Sequence, residues 1–454
     1  MLYILIPARL KKELNYIVNY IFKLRLNVAY KTEFHEENFV RVYSDSHERS
    51  IYFSCDGLKK INDNWMKEES LPNDNLENFK FLGIYLPIIY GKANVDNCSN
   101  YLSINFDVFA SIFFMLSRYE EVVKSCSMDS QGRFSAKDSL AYKNSFLERP
   151  IVDEYIELVW KILKLEYSFL NRTINKKDFL ITCDVDWPFD PAIYNAKVAM
   201  RSCVGDIVKG RGLQNVKYKV LNYFKQKVGL PYSDKYRDSL TWIMDENEKN
   251  GNRVAFYFIP VKTSYQDPGF SLNSKKMHEL LKEINARGHE IGIHPGYECF
   301  DNPLLFEKSC KELENVLCYL GINSSNLGGR MHFLRWNAVI TPTLWDSAGY
   351  RYDSTLSYAD MSGFRCGTCH PFPMYDLQER KELSVLQRPL ISMETTILSP
   401  IYENVSYEND EALKRFMTFK KIVNKFNGEY VLLWHNSYLV DKRDRLIYQE
   451  LIKK

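Results

Sequence analysis

Phe179-Leu-Ile-Thr-Cys-Asp-Val-Asp-Trp-Pro188 is the stretch that decides how the chain is read. Phe179 to Ile181 is an apolar run of the kind that forms a buried strand. Asp184 and Asp186 follow, and Pro188 stops the run. Residues i and i+2 of a strand share a face, so the two carboxylates point the same way. Such a pair repels itself unless a cation lies between the groups or one keeps a proton. Taken in isolation the pair fits an Asp-rich turn with both groups in water better, so the case for chemistry rests on what else converges there.

Downstream, strand-like and helix-like runs alternate. Strands are expected at Arg253–Pro260, His289–His294, Tyr350–Leu356, Leu390–Leu398 and Glu429–His435, and a short strand and turn at Leu327–Phe333. Helices are expected at Ser239–Lys249, Ser274–Ala286, Leu304–Leu320, Thr341–Ala348 and Asp410–Phe426. This alternation implies a parallel sheet with crossover helices, open or closed into a barrel. Ligand sites in such folds form at the carboxyl ends of the strands. Asp184, Asp186, His294, His332 and His435 all fall at such ends.

The first 167 residues show mixed patterning. Strands are expected at Tyr3–Ile6, Ile51–Ser54 and Phe79–Ile84, and helices at Lys11–Arg25, Phe106–Val122 and Val152–Leu165. The second of these helices is apolar most of the way round, which implies burial against a sheet. Arg118, Glu120 and Glu121 on it read as an ion-pair cluster or a binding group. The polar stretch Asn171–Lys177 marks the boundary between residues 1–175, a smaller mixed α/β accessory domain, and residues 176–454. An insertion at about 191–236 carries Lys197, Arg201, Lys209, Arg211, Lys217, Lys219, Lys225 and Lys227 against Asp206 alone before Pro231. It reads as a solvated helical face, a lid, or a contact for an anionic glycan or a membrane surface.

The chain of 454 residues, 45% of them hydrophobic, is ample for two domains. A net charge of +3 argues against nucleic acid as the main partner. Tyr 31, Phe 27 and Trp 7 suit a carbohydrate-handling protein or an aromatic-rich core. No segment reaches the roughly 20 apolar residues of a membrane span. The apolar start Leu2–Ile6 lacks a basic segment ahead of it and reads as a first strand, not a signal peptide. The ten cysteines show no framework spacing and read as reduced thiols, which places the protein in a cytoplasm or at the membrane periphery.

Thr182-Cys-Asp-Val-Asp-Trp-Pro188, Gly288-His-Glu-Ile-Gly-Ile-His-Pro295, Arg330-Met-His-Phe333 and Leu432-Leu-Trp-His435 resemble, in this order, four motifs of the NodB-type polysaccharide deacetylases, a carbohydrate esterase family. Tyr352–Leu356 through Gly363–Thr368 resembles a fifth motif region. The first 175 residues are similar to the accessory domain of deacetylases from bacterial polysaccharide gene clusters. The resemblance implies an α/β fold with a distorted (β/α) barrel, a divalent metal, most simply zinc, and hydrolysis of N-acetyl groups on an amino-sugar glycan or its precursor. It also implies roles: Asp184 as general base, Asp186 and His294 as metal ligands, Arg330 as the group that orients the base, and His435 as general acid. Two departures stand out. Val185 separates the aspartates that the family has adjacent, and Glu298 stands where the family has a second histidine. The third ligand is therefore expected to be His332, with Glu298 as the alternative. If neither serves, the chain is an inactive glycan-binding protein of the same fold; a small-molecule amidohydrolase is the other alternative. Trp187, Tyr297, Asp353, Arg365 and Trp434 are expected on the substrate side, although the two tryptophans fit core packing as well.

Cys366-Gly-Thr-Cys-His370 matches the spacing of c-type haem attachment. That chemistry belongs to exported proteins, so this stretch is read as a substrate-side or structural loop.

Overall fold

The computed structural model describes residues 1–124, 128–173, 177–208 and 212–453. Part of the boundary stretch Asn171–Lys177, and Lys209 and Arg211 of the basic insertion, lie outside the described residues.

Two large sheets organise the chain. The first is mixed and six-stranded, in the order β2-β1-β3-β4-β8-β7. Its strands are Leu2–Pro7 (β1), Tyr30–His35 (β2), Phe39–Ser44 (β3), His47–Ser54 (β4), Gly91–Asn97 (β7) and Tyr101–Phe106 (β8). Glu77–Phe81 (β5) and Ile84–Ile88 (β6) form a separate antiparallel hairpin. The helix Val108–Leu116 is buried at every position, as its all-round apolar sequence requires. It starts where the Asp107 carboxylate accepts from the Ala110 N–H at 2.8 Å. The expected continuation to Val122 is broken at Arg118, whose φ of +54° turns the chain before a short helix Tyr119–Val123. The turn sends the Arg118 guanidinium inward, onto Glu121 at 2.8 Å and Glu120 at 3.1 Å.

The second sheet has nine strands in the order β14-β15-β13-β12-β11-β10-β9-β17-β16. They are Asp178–Val185 (β9), Val254–Phe258 (β10), Glu290–Ile293 (β11), Gly328–Gly329 (β12), Tyr352–Asp353 (β13), Phe372–Asp376 (β14), Lys381–Gln387 (β15), Ser392–Met393 (β16) and Glu429–Leu433 (β17). From β15 to β16 every neighbouring pair is parallel; β14 alone runs antiparallel, against β15. The fold is thus α/β, with helices such as Lys275–Ala286 and Pro303–Tyr319 between successive strands. The Gly328-Gly329 pair lets three strands close up at β12. A Cβ on Gly328 would collide with the Tyr352 ring, and one on Gly329 with the Ile293 carbonyl.

Two local readings are corrected. Leu390–Leu398 is a two-residue strand followed by the helix Glu394–Leu398, not one strand, because the run turns away from the sheet after Met393. The β14–β15 hairpin carried no strand expectation. It lies against the helix Lys11–Val18, where Tyr16 donates to the Pro373 carbonyl at 2.8 Å and Tyr375 to Glu13 at 2.9 Å.

The Cys366–His370 stretch lies at the seam between the two sheets. Both thiols are buried. Asp153 accepts there from the Cys369 N–H at 2.9 Å and the Thr368 hydroxyl at 2.8 Å, and pairs with Arg25. Arg365 enters the same seam and forms two hydrogen bonds to Glu121, at 2.7 and 2.9 Å.

Candidate active site

The carboxyl ends of the second sheet gather the acidic and imidazole groups. β9 ends on Asp184 and the fully buried Val185, and Asp186 follows directly, so that both carboxylates face His294. Arg330 follows β12 and is itself fully buried. Its guanidinium donates to Asp184 Oδ1 at 2.7 Å, to the Thr182 hydroxyl at 2.9 Å, and to the carbonyl and hydroxyl of Ser354 at 2.8 and 3.0 Å. Burial works against a charge on Asp184, but Arg330 and then His294 outweigh it and hold the carboxyl below the usual range.

His294 follows β11. Its Nδ1–H donates to the Arg330 carbonyl at 2.5 Å, since a carbonyl only accepts. Its Nε2 lone pair then faces Asp186 Oδ1 at 3.6 Å and Asp184 Oδ2 at 3.7 Å. Burial pushes the His294 pKa down, which favours the neutral ring. His332 has the same arrangement. Its Nδ1–H donates to Asp267 Oδ1 at 2.7 Å, and its Nε2 lies 3.6 Å from Asp186 Oδ1.

Asp267, in the long loop after β10, drew no expectation from the sequence. Its two oxygens accept from five donors. Besides His332 these are the Tyr297 N–H at 2.8 Å, the Thr263 N–H and hydroxyl at 2.7 and 2.8 Å, and the Ser264 N–H at 3.0 Å. Burial opposes its charge, yet these bonds, that of His332 first, hold the carboxyl far below its ordinary value.

Ligand atoms of Asp186, His294 and His332 lie within 4.8 Å of one another. Asp186 Oδ1 is buried and has no hydrogen-bond partner among the described residues. An acceptor oxygen facing two imidazole lone pairs, with no hydrogen between them, is an arrangement that a cation relieves. Two imidazoles and a carboxylate are also the donor set of an open zinc-type site. The residues present therefore fit a divalent metal.

His435 lies just past β17. Its Nδ1 bonds the buried carboxylate of Glu394, the residue immediately after β16. Its Nε2 is 3.9 Å from Asp186 Oδ2. Burial opposes the imidazolium, but Glu394, followed by Asp186 and Asp184, pushes the pKa up to about 10.

These groups line a cavity of about 220 Å³, together with Tyr402, Tyr438, Phe333 and Arg133. Arg133 comes from the N-terminal part of the chain and donates to the Phe333 carbonyl and the Tyr402 hydroxyl, each at 3.2 Å. A larger cavity of about 780 Å³ opens at the amino ends of the strands, beside Arg253, Glu290 and Arg388, away from the histidines.

The other expected site residues lie elsewhere. Glu298 is outside the ligand group, with 47% of its side chain exposed and Arg335 at 3.6 Å. Trp434 is fully buried and stacks on Phe416. Trp187 is half-buried, is not in the cavity wall, and accepts from Asn436 at its carbonyl. The Tyr297 N–H is engaged by Asp267 and its hydroxyl donates to Gln131 at 2.9 Å, so neither faces the cavity as a free donor. Asp353 is fully buried against Thr355, and burial pushes its carboxyl up to about 7. Arg365 is committed to Glu121.

Comparison with known proteins gives the following. Residues 2–168 match a family described as a family of unknown function (DUF7033). No curated protein matches the chain. Among solved structures, the chain is similar to a protein from Mycobacterium smegmatis assigned as a polysaccharide deacetylase, at 14% identity over 62% of this chain and 87% of that one, with a TM-score of 0.39. It is also similar to the allantoinase PuuE, at 13% identity over 47% of this chain and 65% of that one, with a TM-score of 0.33. A protein from Pseudomonas aeruginosa PAO1 assigned as a polysaccharide deacetylase gives 12% identity over 47% and 65%, with a TM-score of 0.33.

Proposed function

We propose that this chain is a metal-dependent amidohydrolase that removes N-acetyl groups from an amino-sugar polysaccharide or its precursor. One observation carries the reading: five acid–base and metal-competent groups from four strand ends share one cavity, and their buried faces are oriented by Arg330, Asp267 and Glu394. Asp186, His294 and His332 would hold the cation, most simply zinc. When bound, it supplies Lewis acidity toward the amide carbonyl and the attacking water.

The chain's own groups do the proton work. Asp184, kept ionised by Arg330, takes a proton from the attacking water at the oxygen not held by the guanidinium. Arg330 fixes the direction of that oxygen, because four acceptors hold its fork in place. His435, protonated and clamped by Glu394, gives its Nε2 proton to the departing nitrogen. The two proton-transfer groups thus differ as the reaction needs, one carboxylate and one imidazolium.

On this reading residues 176–454 form the catalytic domain and the nine-stranded sheet is the wall of a distorted barrel. Residues 1–175 form an accessory domain that lends Arg133 to the cavity rim.

Acetate release from N-acetylated chito-oligosaccharides, before and after zinc loading of the chelated protein, tests the proposal. Zinc-dependent release is expected. Activity confined to monomeric amides would replace the glycan with a small molecule, and zinc binding without any hydrolysis would leave a glycan-binding protein.

A further inference from the structure

The basic insertion is built inside out. Its two helices, Ala196–Val208 and Leu213–Lys227, pack against each other through small and polar residues: Ala199, Cys203 and Asp206 are the buried positions of the first, and Asn222 that of the second. Lys219 bonds Asp206 at 2.6 Å on this inner side. The large apolar residues point outward instead. Met200, Val204, Ile207 and Val208 recur at helical spacing on one exposed stripe, and Leu213, Leu221 and Phe224 form another. Val208 is 79% exposed, Leu213 77% and Phe224 61%. A surface helix ordinarily turns such a stripe to the core, and an exposed patch of this kind marks an interaction surface.

The polar residues beside the stripes are cationic. Lys197, Arg201, Lys217 and Lys227 are exposed, and Asp206 is the one carboxylate between residues 196 and 228. Among the described residues, none of these four cations has a carboxylate within ion-pair distance. The complement of apolar stripes with lysine and arginine set among and beside them is an apolar layer beneath an anionic one. Nucleic acid offers the charge but no aliphatic layer. A second copy of the hairpin would bring like charge against like charge.

We propose that this hairpin docks on an anionic lipid bilayer, its apolar stripes entering the headgroup boundary and its lysines and arginines reaching the lipid phosphates. The hairpin is rooted just after Asp186, at the carboxyl end of β9. The Asp190 N–H donates to Asp234 at 3.0 Å and the Tyr194 hydroxyl to Asp234 at 2.9 Å, closing its base. The hairpin is thus anchored at the end of the sheet that holds the histidine cavity. No helix is long and apolar enough to cross a membrane among the described residues, so the contact is peripheral.

Flotation of the full chain with phosphatidylcholine vesicles, with and without phosphatidylglycerol, tests this without requiring turnover, so failure of the hydrolase reading leaves the result interpretable. The wild type should float with the phosphatidylglycerol vesicles and be partly released by high salt. The combined Met200→Ser, Ile207→Ser and Phe224→Ser variant, which alters only exposed positions, should lose about tenfold or more of that partition. A second variant, Lys197→Gln with Arg201→Gln and Lys217→Gln, should lose binding to anionic vesicles while keeping its helical circular dichroism. No flotation by the wild type, equal flotation by the serine variant, salt-independent binding to neutral vesicles, or self-association in place of flotation would each overturn the proposal.

Discussion

Replacing Asp267 with Asn tests the candidate centre through a residue that touches no substrate. All five partners of this carboxylate are donors, and its Oδ1 receives the Nδ1–H of His332. An asparagine accepts at one oxygen only and must turn its NH₂ toward at least one of those donors. If the NH₂ faces the Thr263 and Ser264 side, buried N–H groups lose their acceptor, at a cost of about 1–3 kcal/mol in stability. If it faces His332, Nδ1 becomes the acceptor and the ring proton moves to Nε2, the atom that points at Asp186. Loss of such an orienting partner typically weakens metal binding by about 10–100-fold, or about 1.4–2.7 kcal/mol. Zinc affinity measured by competition with a chromophoric chelator, beside urea unfolding of the metal-free protein, separates the two outcomes. An Asp267→Asn variant that folds stably and binds zinc with wild-type affinity would refute both the ligand role of His332 and the orienting role of Asp267.

Three further predictions concern separate parts of the molecule. Asp184→Asn should retain zinc and lose about 10²–10⁴-fold in turnover, because the proton acceptor goes while Asp186, His294 and His332 stay; elemental analysis beside acetate release checks it. Glu121→Gln should cost about 3–5 kcal/mol in urea unfolding, because it removes the carboxylate paired with the buried Arg365 and leaves the buried Arg118 with Glu120 alone; a loss below about 1 kcal/mol would show that the seam does not depend on that charge. His370 is buried, and burial, then Arg25, lowers its pKa from the ordinary 6.5 to about 4. The unfolded chain therefore binds the extra proton between those values, so this contribution is complete above about pH 6.5 and lost as the pH falls toward 4. The difference is worth about 3 kcal/mol. His370→Asn should flatten the stability-against-pH curve over that window, and an unchanged slope would argue against it.

Strand alternation and strand-end punctuation are local properties, so the sequence alone determined the parallel α/β pattern and placed Asp184, Asp186, His294, His332 and His435 at strand ends. The period of two explains why Val185 does not separate the aspartate pair. Tertiary structure decided the layer behind those groups. Asp267 lies in a loop with no periodicity, Glu394 begins a helix inside a run that reads as a strand, and Arg133 arrives from the N-terminal part. Tyr297, Asp353, Arg365 and Trp434 were drawn instead into hydrogen bonds, ion pairs or core packing away from the cavity. A strand declares its face through its own neighbours in the chain. The partner of a buried imidazole or guanidinium is chosen by distance in space, and only the packing of the two sheets sets that distance.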